Sequence, residues 1–315
     1  MPILVSFIIP HKGRLDLLSK TLPSILQQDF DLGQIEIILV TQEPRLGLEE
    51  IASKMDLKII YCSPQETIAA LRNKGAEIAR GEYLAFVDAD ISLSSNWIET
   101  VLKELTAKSN RVLVSAKAAC SGSPTPVEKI WLRINNEKIE KVVDSLGAAN
   151  LFLSKENFKK VGGFPENLRT CEDIFFTNKL SQIGEVYITP RASHEHLGED
   201  KTYSELFMKE IWRSQSNLHS ISGRKISFKE MPSIIFPCWE TFWCIGFMLA
   251  ILLQKPFLIV LSLLAFFGPI LLYSLRIYLR NPRELSLFDA LRFYLVYFLA
   301  RMIGSVKGLF FLRRV

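Results

Sequence analysis

Two aspartates, Asp88 and Asp90, follow directly after a short apolar run and are separated by a single alanine. The run, Tyr83–Val87, is typical of a central strand that is buried on both faces of a parallel sheet. Open α/β sheets bind ligands at the carboxyl ends of their strands. Two carboxylates there can hold a divalent cation, which can in turn bind a diphosphate. The alternative is a turn in which one aspartate only caps the next helix, near Asn96 or Trp97.

Three further segments are typical of buried strands: residues 4–10, 35–40 and 57–62. Between the first two, residues 17–28 carry apolar side chains at helical spacing. This alternation predicts an α/β fold with right-handed connections and a mostly parallel sheet. A chain of 315 residues has room for one such domain and an appendage.

Four segments, in the same order, resemble motifs of the family 2 glycosyltransferases, which have the nucleotide-sugar-binding type A fold. The segments read FIIPHKGR…L…TLPSILQQ, LRNKGAEIARGEYLAFVDAD, NLFLSKENFKKVGGFPENLRTCEDIFFTNKL and HEHLGEDKTYSELFMKEIWRSQS. Any one short motif recurs by chance, but four in order with sensible spacing are specific. The resemblance implies a Rossmann-like catalytic domain in residues 1–228 that binds a nucleotide-diphosphate sugar.

The resemblance also implies a catalytic role for the acidic pair Glu172–Asp173. In the family a carboxylate of this pair takes the proton of the acceptor hydroxyl. A cation held by Asp88 and Asp90 would neutralise charge on the departing diphosphate. The helical pattern that follows the pair ends at Gly184, so both acids fall in the first turn of a helix. The alternative is that they only complement the helix dipole.

A second acidic pair, Glu199–Asp200, competes for the role of base. It precedes a predicted helix at residues 203–219, where complementation of the helix dipole is a sufficient explanation. His196 matches a histidine that contacts the diphosphate or the metal in the family, and His194 is the alternative. A single histidine is more often structural.

Around the nucleotide, the resemblance implies backbone contacts from Pro10 and His11 and a contact from Arg72. After the second strand the family usually has an aspartate that binds the base or ribose, whereas this chain has Thr41, with Glu43 two residues on. This departure leaves UDP, GDP and dTDP open as the donor nucleotide.

Trp212 and Arg213 match an aromatic and basic motif that lies close to the membrane in related enzymes. Arg213 would pair with diphosphate oxygens, and Trp212 would line the acceptor groove. The alternative is a surface arginine beside a core tryptophan.

Residues 229–315 are predicted to form a membrane region. The runs at residues 234–253 and 256–275 are almost entirely apolar, and each is about long enough to cross a bilayer. A short turn around Lys255 joins them, which predicts a transmembrane helical hairpin. The alternative is a pair of core helices in a soluble protein, although such helices keep a polar stripe.

Basic residues flank the predicted hairpin, whereas its turn contains only Lys255. The positive-inside rule then places both termini and the catalytic domain on the cytoplasmic side of the cell (inner) membrane. The N-terminal residues carry no cleavable signal pattern. The flanking residues are Arg224, Lys225, Lys229, Arg276, Arg280 and Arg283.

Residues 287–312 are predicted to form an interfacial helix on anionic lipid, with a third short span as the alternative. Glu240 lies within the first apolar run, where a carboxylate is a functional candidate. Pro237, Trp239 and Trp243 mark the membrane interface, which favours a place near the head groups for Glu240.

Composition narrows the function further. Five cysteines without paired spacing argue against a zinc site or a disulfide framework. The net charge of +5 is explained by the basic residues beside the apolar runs, so no nucleic-acid partner is expected.

We therefore expect an inverting glycosyltransferase that depends on Mn²⁺ or Mg²⁺ and acts on a lipid-linked or growing saccharide of the cell envelope. A polyprenyl phosphate is the alternative acceptor. From a different class, the chain could be a catalytically silent membrane scaffold, which Thr41 favours and the intact acids oppose. A nucleotidyltransferase is disfavoured because no glycine-rich phosphate loop follows the first strand.

Overall fold

The computed structural model of the protein describes residues 2–44, 56–120, 122–137, 139–216, 231–280 and 282–311. The chain divides into two compact units. The N-terminal unit consists of Met1–Ser121 and Asn135–Glu199, and the C-terminal unit of Gly122–Ile134 and Asp200–Val315. The domain boundary predicted at residue 228 lies outside the described residues.

Eight strands form one sheet in the N-terminal unit: β1 (Val5–His11), β2 (Ile35–Thr41), β3 (Leu57–Tyr61), β4 (Tyr83–Val87), β5 (Ile91–Leu93), β6 (Arg111–Ala119), β7 (Asn150–Ser154) and β8 (Glu185–His196). Their order across the sheet is β3-β2-β1-β4-β7-β6-β8-β5. The parallel pairs are β1–β2, β2–β3, β1–β4 and β6–β8. The antiparallel pairs are β4–β7, β6–β7 and β5–β8.

Ten α-helices occur in the described residues: α1 (Leu15–Leu26), α2 (Ile68–Ile78), α3 (Trp97–Thr106), α4 (Pro126–Asn136), α5 (Lys155–Val161), α6 (Glu172–Ser181), α7 (Tyr203–Arg213), α8 (Met231–Leu252), α9 (Pro256–Arg280) and α10 (Leu287–Phe311). The C-terminal unit contains α7 to α10 and all but the last two residues of α4.

The sheet has an apolar core on each face because successive residues of a strand point to opposite sides. Phe7 and Ile9 belong to the core that α1 and α3 cover, and Ile8 belongs to the core that α2 and α6 cover. Burial on both faces explains why β1, β2 and β4 are apolar nearly throughout. Their shared carboxyl edge is therefore held by rigid, fully packed strands.

The α/β fold class is confirmed, and β4 begins and ends at the residues predicted for it. The sheet is more mixed than a mostly parallel one, because β7 lies antiparallel between β4 and β6. Pairing direction follows from the long connections between strands, which local sequence patterns do not encode.

Two helices in the described part of the chain are long and apolar enough to cross a membrane, Ile235–Leu252 within α8 and Pro256–Arg280. They agree with the two predicted spans by length and composition. The three basic residues predicted to precede the hairpin (Arg224, Lys225 and Lys229) lie outside the described residues.

Helix α10 packs against the ends of α8 and α9 that are remote from the Lys255 turn. The ring of Phe298 lies 5.5 Å from that of Phe236 and 5.6 Å from that of Tyr273. Helix α7 packs on α10 at Gly304, where an added Cβ would collide with the Ile211 carbonyl oxygen. Close helix approach of this kind requires a small residue.

Glu240 in α8 is fully buried inside the C-terminal unit. Neither of its carboxylate oxygens has a hydrogen-bond partner among the residues that the structure describes. Its expected place among the head groups remains a prediction.

Candidate active site

Asp90 lies between β4 and β5, at the carboxyl edge of the sheet. Its Oδ1 atom is 3.8 Å from Nε2 of His196, because β5 pairs antiparallel with β8 and sets Ile91 opposite His196. The chain turns tightly after His196: the Leu197 N–H donates to the Asp90 carbonyl oxygen at 2.8 Å. A Cβ at Gly198 would collide with Oδ2 of Asp90. The fold thus brings together two of the three residues predicted to bind a metal.

The capping alternative for these aspartates does not hold. Helix α3 begins at Trp97, its N-cap is Asn96, and no side chain caps it. Asp88 instead accepts a hydrogen bond from Arg72, and Asp90 faces His196 and Arg14.

Asp90 and His196 have the chemistry of a site for Mn²⁺ or Mg²⁺. Mn²⁺ accepts imidazole nitrogen beside carboxylate oxygen, whereas Mg²⁺ prefers oxygen ligands and commonly uses one or two carboxylates together with substrate phosphates. Nδ1 of His196 is buried without a hydrogen-bond partner in the described part of the chain, whereas Nε2 faces Asp90. One oxygen of Asp88 is taken by Arg72. Within the described ranges no three His, Cys, Asp or Glu side chains cluster as a metal site, so substrate and water would complete the coordination.

Arg72, in α2, joins the two acidic motifs. Its Nη2 donates to Oδ1 of Asp88 and its Nη1 to Oε1 of Glu172, each at 2.7 Å. Only 2% of the side chain is exposed, and the guanidinium lies 5.2 Å from the centre of the Phe164 ring. A buried charge is stable only when it is paired. The sequence predicted a nucleotide contact for Arg72, whereas its guanidinium faces these two carboxylates.

Burial and the neighbouring charge of Asp173 raise the pKa of Glu172 to about 7, against the opposite effect of Arg72. Burial also raises the pKa of Asp88, and Arg72 again opposes the shift. Arg72 therefore stabilises negative charge at both motifs, although burial disfavours it.

Asp173 is held by the backbone. Its Oδ1 accepts a hydrogen bond from the Ile174 N–H at 2.7 Å, and its Oδ2 accepts one from the Ala148 N–H at 3.2 Å. Helix α6 begins at Glu172, so both acids lie in its first turn as predicted. The two bonds fix the direction of the Asp173 carboxylate.

The residues predicted to surround the nucleotide meet at the ends of β1 and β2. His11 lies opposite Thr41 in the parallel register, and its Nδ1 is 3.0 Å from Thr41 Oγ1. Glu43 Oε1 accepts a hydrogen bond from the Gly13 N–H at 2.9 Å. Burial lowers the pKa of His11, which favours the neutral imidazole. Pro10, His11, Thr41 and Glu43 thus belong to one hydrogen-bonded edge.

His194, the alternative to His196, is a core residue. Its Nδ1 lies 2.8 Å from Nδ2 of Asn150 and 3.2 Å from the Ala116 carbonyl oxygen. Burial lowers its pKa to about 4, so the ring is neutral. These two contacts of Nδ1 link β8 to β7 and β6 beneath the site.

Asp200, Trp212 and Arg213 belong to the C-terminal unit. Asp200 is fully buried, 2.7 Å from Nζ of Lys209 and 3.5 Å from Nη1 of Arg213. Helix α7 is capped by Thr202 and Glu205, so the expected role of Asp200 at this helix start is filled by other residues. Trp212 is 55% exposed and is not a core residue.

Two residues at the site, Arg14 and Gly198, were not expected from the sequence. Arg14 follows Gly13, and such a pair signals an unusual turn at the end of a strand. Gly198 follows His196 closely, where a glycine marks a close approach of the backbone to another group.

Residues 6–154 match the model of Glycosyl transferase family 2, which supports a domain of that family in this part of the chain. The chain is similar to Glycosyltransferase AglE of Haloferax volcanii, with 25% identity over 189 residues, which covers 57% of this chain and 62% of the relative. It is also similar to Glucosyl-dolichyl phosphate glucuronosyltransferase of the same organism, with 25% identity over 166 residues, covering 49% and 53%. The matches thus span little more than half the length of these relatives.

Among solved structures, the chain resembles mannosyltransferase PcManGT from Pyrobaculum calidifontis, in complex with GDP-Man and Mn²⁺. The TM-score is 0.64 at 15% identity, and the match covers 98% of this chain and 89% of the other. This likeness confirms the type A glycosyltransferase fold.

Proposed function

We propose that the protein is a glycosyltransferase that moves a sugar from a nucleotide-diphosphate sugar to a hydroxyl group of a glycan or lipid-linked saccharide. The observation that carries the proposal is the pair of hydrogen bonds from Arg72 to Asp88 and Glu172. These bonds hold the strand-end acids and the acids of α6 within the width of one guanidinium. A leaving group bound by the first pair and a hydroxyl bound by the second would flank the same sugar.

In this proposal Asp90 and His196 hold a divalent cation, with Asp88 beside them. When bound, the cation neutralises the charge that develops on the departing diphosphate. The complex of the structural neighbour with Mn²⁺ supports this choice of metal. Arg72 keeps Asp88 oriented from below the site.

Asp173 takes the proton of the acceptor hydroxyl as the new glycosidic bond forms. Its carboxylate is already directed by two backbone N–H groups, so little reorientation is needed. Glu172, turned toward Arg72, supports Asp173 rather than the acceptor. A single displacement on the face opposite to the leaving group inverts the configuration of the anomeric carbon.

The acceptor is proposed to be lipid-linked and to be used at the cytoplasmic face of the cell membrane. The two apolar helices support this by length and composition. A curated relative is named for transfer onto a glucosyl-dolichyl phosphate, which is a lipid-linked sugar. Helix α10, at the ends of α8 and α9 that carry Arg276 and Arg280, fits the interfacial helix expected there.

The test is an assay of the purified full chain with UDP-, GDP- and dTDP-sugars, in Mn²⁺, Mg²⁺ or EDTA. Acceptors are a polyprenyl phosphate, a polyprenyl-linked saccharide and a free oligosaccharide. We expect transfer with one donor class, only with metal, to the lipid-linked saccharide. Transfer to the bare polyprenyl phosphate would mean that this compound, and not a lipid-linked saccharide, is the acceptor. Full activity in EDTA would mean that the reaction does not depend on a metal. If the protein neither binds nor hydrolyses any donor, the result would favour the catalytically silent scaffold.

A further inference from the structure

Arg14 has a backbone conformation that side-chain-bearing residues rarely adopt. Its φ is 54° and its ψ is 48°, in the left-handed region, and Gly13 before it has a φ of 62°. Such a residue persists only where its surroundings hold it, and these outliers concentrate at functional sites.

The loop around Arg14 is held by residues at the ends of β1 and β2 that are predicted to surround the nucleotide. Glu43 accepts a hydrogen bond from the Gly13 N–H at 2.9 Å, and the Glu43 N–H donates to Thr41 Oγ1 at 3.0 Å. On the other side, the Arg14 carbonyl oxygen accepts from the Leu17 N–H at 3.0 Å, which starts α1. The Arg14 side chain does not cap this helix, although Arg14 is its N-cap residue. Backbone geometry, not helix capping, therefore sets the direction of the side chain.

That direction leads to the candidate metal site. Nη1 of Arg14 lies 3.8 Å from Oδ2 of Asp90. A Cβ at Gly198 would come within 2.8 Å of the same Nη1 and would collide with the Asp90 carboxylate. The absence of a side chain at Gly198 therefore leaves room for both groups.

The pair between Arg14 and Asp90 is too weak to explain the strained backbone by itself. The arginine side chain is 53% exposed, and a solvated ion pair at 3.8 Å contributes little to stability. A cation on Asp90 would also repel Arg14. An arginine beside a site of this kind, with about half of its side chain exposed, is able to bind a doubly charged oxyanion by paired hydrogen bonds.

We propose that Arg14 binds the diphosphate of the donor nucleotide, and that it leaves Asp90 for the phosphate oxygens when the cation and nucleotide bind together. The inference rests on the proposed function, since it assumes that a nucleoside diphosphate occupies this edge. Arg14 would act as a binding residue for the donor, in addition to the residues at the ends of β1 and β2.

Arg14→Gly tests the proposal because glycine suits the left-handed backbone and removes the guanidinium. Calorimetric titration of the full chain with UDP, GDP and dTDP in MnCl₂ is compared with titration with UMP, GMP and dTMP. We expect the variant to bind the preferred diphosphate about tenfold or more weakly, and the monophosphate almost as well as the wild type. Its melting temperature should be equal or higher, because the backbone strain is relieved.

A second measurement uses Mn²⁺ alone, titrated by electron paramagnetic resonance. Removal of the competing positive charge should leave Mn²⁺ binding unchanged or make it about twofold tighter. Lys12→Ala removes one positive charge from the same loop, and Arg191→Ala removes an exposed arginine that pairs with Glu104 at 3.3 Å. Both controls should bind the diphosphates like the wild type.

Four outcomes would overturn the inference. Equal weakening of diphosphate and monophosphate would give Arg14 a role in the fold, as would a lower melting temperature of Arg14→Gly. If Arg14→Gly binds the diphosphate as tightly as the wild type, Arg14 is not a binding residue for the donor, and the proposed function is unaffected. If the wild type binds none of the three diphosphates with Mn²⁺, the proposed function itself fails, and the inference fails with it.

Discussion

The Asp173 carboxylate is oriented by two backbone N–H groups, which suits a group that must meet one hydroxyl in one direction. Replacing it by asparagine preserves the shape but removes the ability to accept a proton. We expect Asp173→Asn to lower kcat by about a thousandfold or more with little change in donor affinity. Single-turnover transfer and donor titration on the same sample separate the two effects.

Asp200→Asn is the matched control, since Asp200 pairs with Lys209 and Arg213 in the C-terminal unit. This change should lower the melting temperature and leave the transfer rate of the folded enzyme nearly intact. A larger loss of turnover in Asp200→Asn than in Asp173→Asn would move the base to the second acidic pair. Retained anomeric configuration in the product, read by NMR, would exclude the single displacement.

Glu172 should make the free energy of unfolding decrease as the pH rises. Its pKa is about 7 in the folded protein because of burial and Asp173, against about 4.5 in the unfolded chain. The folded state therefore holds a proton that the unfolded state releases, and this stabilisation is lost as the pH rises from about 4.5 to 7. Glutamine at this position does not titrate. In EDTA, the stability advantage of the wild type over Glu172→Gln should shrink between pH 5 and pH 8, by on the order of 2 kcal/mol.

Thermal melts of both proteins at a series of pH values measure this difference. A difference that stays constant would mean that Glu172 does not titrate in this range. A difference that grows with pH would mean that the Arg72 pair outweighs burial and keeps Glu172 ionised.

At the scale of single residues, the motifs predicted which residues lie at the site better than they predicted the contacts between side chains. Asp90 and His196 lie close together because the motifs that contain them end on one edge of the sheet, which the order of the motifs implies. The bridge from Arg72 to Glu172 was not predictable, because it depends on how α2 and α6 pack on the same face of the sheet. The strained conformation of Arg14 is likewise a property of the folded loop.

The turn between β8 and α7 determines the space around Asp90. A methyl group at Gly198 would overlap Oδ2 of Asp90 and force the carboxylate to move. We expect Gly198→Ala to weaken Mn²⁺ binding by about tenfold, with a small effect on the melting temperature because the overlapping atom is the end of a side chain, which can move. Mn²⁺ titration of the apo protein measures this directly.

Gly268→Ala is the control for a glycine with open space, since nothing lies within 4 Å of a Cβ at that position. Its Mn²⁺ affinity should equal that of the wild type. Unchanged affinity in Gly198→Ala would show that the turn adapts and does not shape the site.

At the scale of secondary-structure elements, some strands and helices could be predicted from the sequence and others could not. Strands of the N-terminal half were predictable because burial on both faces leaves an apolar run, as in β4. The short β5 has three residues and no such run, and β7 was visible only as part of a motif. A helix was predicted at residues 287–312, and α10 spans Leu287–Phe311, where its apolar side chains share a core with those of α7, α8 and α9.

At the scale of the whole molecule, the two apolar helices make a prediction about the membrane. If α8 and α9 cross the bilayer, Lys255 in their turn lies on the side opposite to the catalytic domain. The protein should resist extraction by alkaline carbonate. A variant with only one cysteine, placed by Lys255→Cys after replacement of the five native cysteines, should react with an impermeant maleimide added outside spheroplasts.

Cysteine at Lys108, which is exposed in the N-terminal unit, is the comparison. It should react only after the membrane is opened. Labelling of both positions from one side would exclude the hairpin. Release of the protein by carbonate would mean that α8 and α9 are core helices of a soluble protein.

The discontinuity of the C-terminal unit has a consequence for biosynthesis. Helix α4 is translated well before its partners: Ile130 and Trp131 pack with Phe293 and its neighbours in α10. At translation speeds of about 5–20 residues per second, those partners follow on the order of ten seconds later. During that interval β7 and β8 leave the ribosome and the sheet can close, while the apolar side of α4 still lacks its partners in α10. The catalytic sheet is therefore able to mature first, and α4, although made early, completes its folding last.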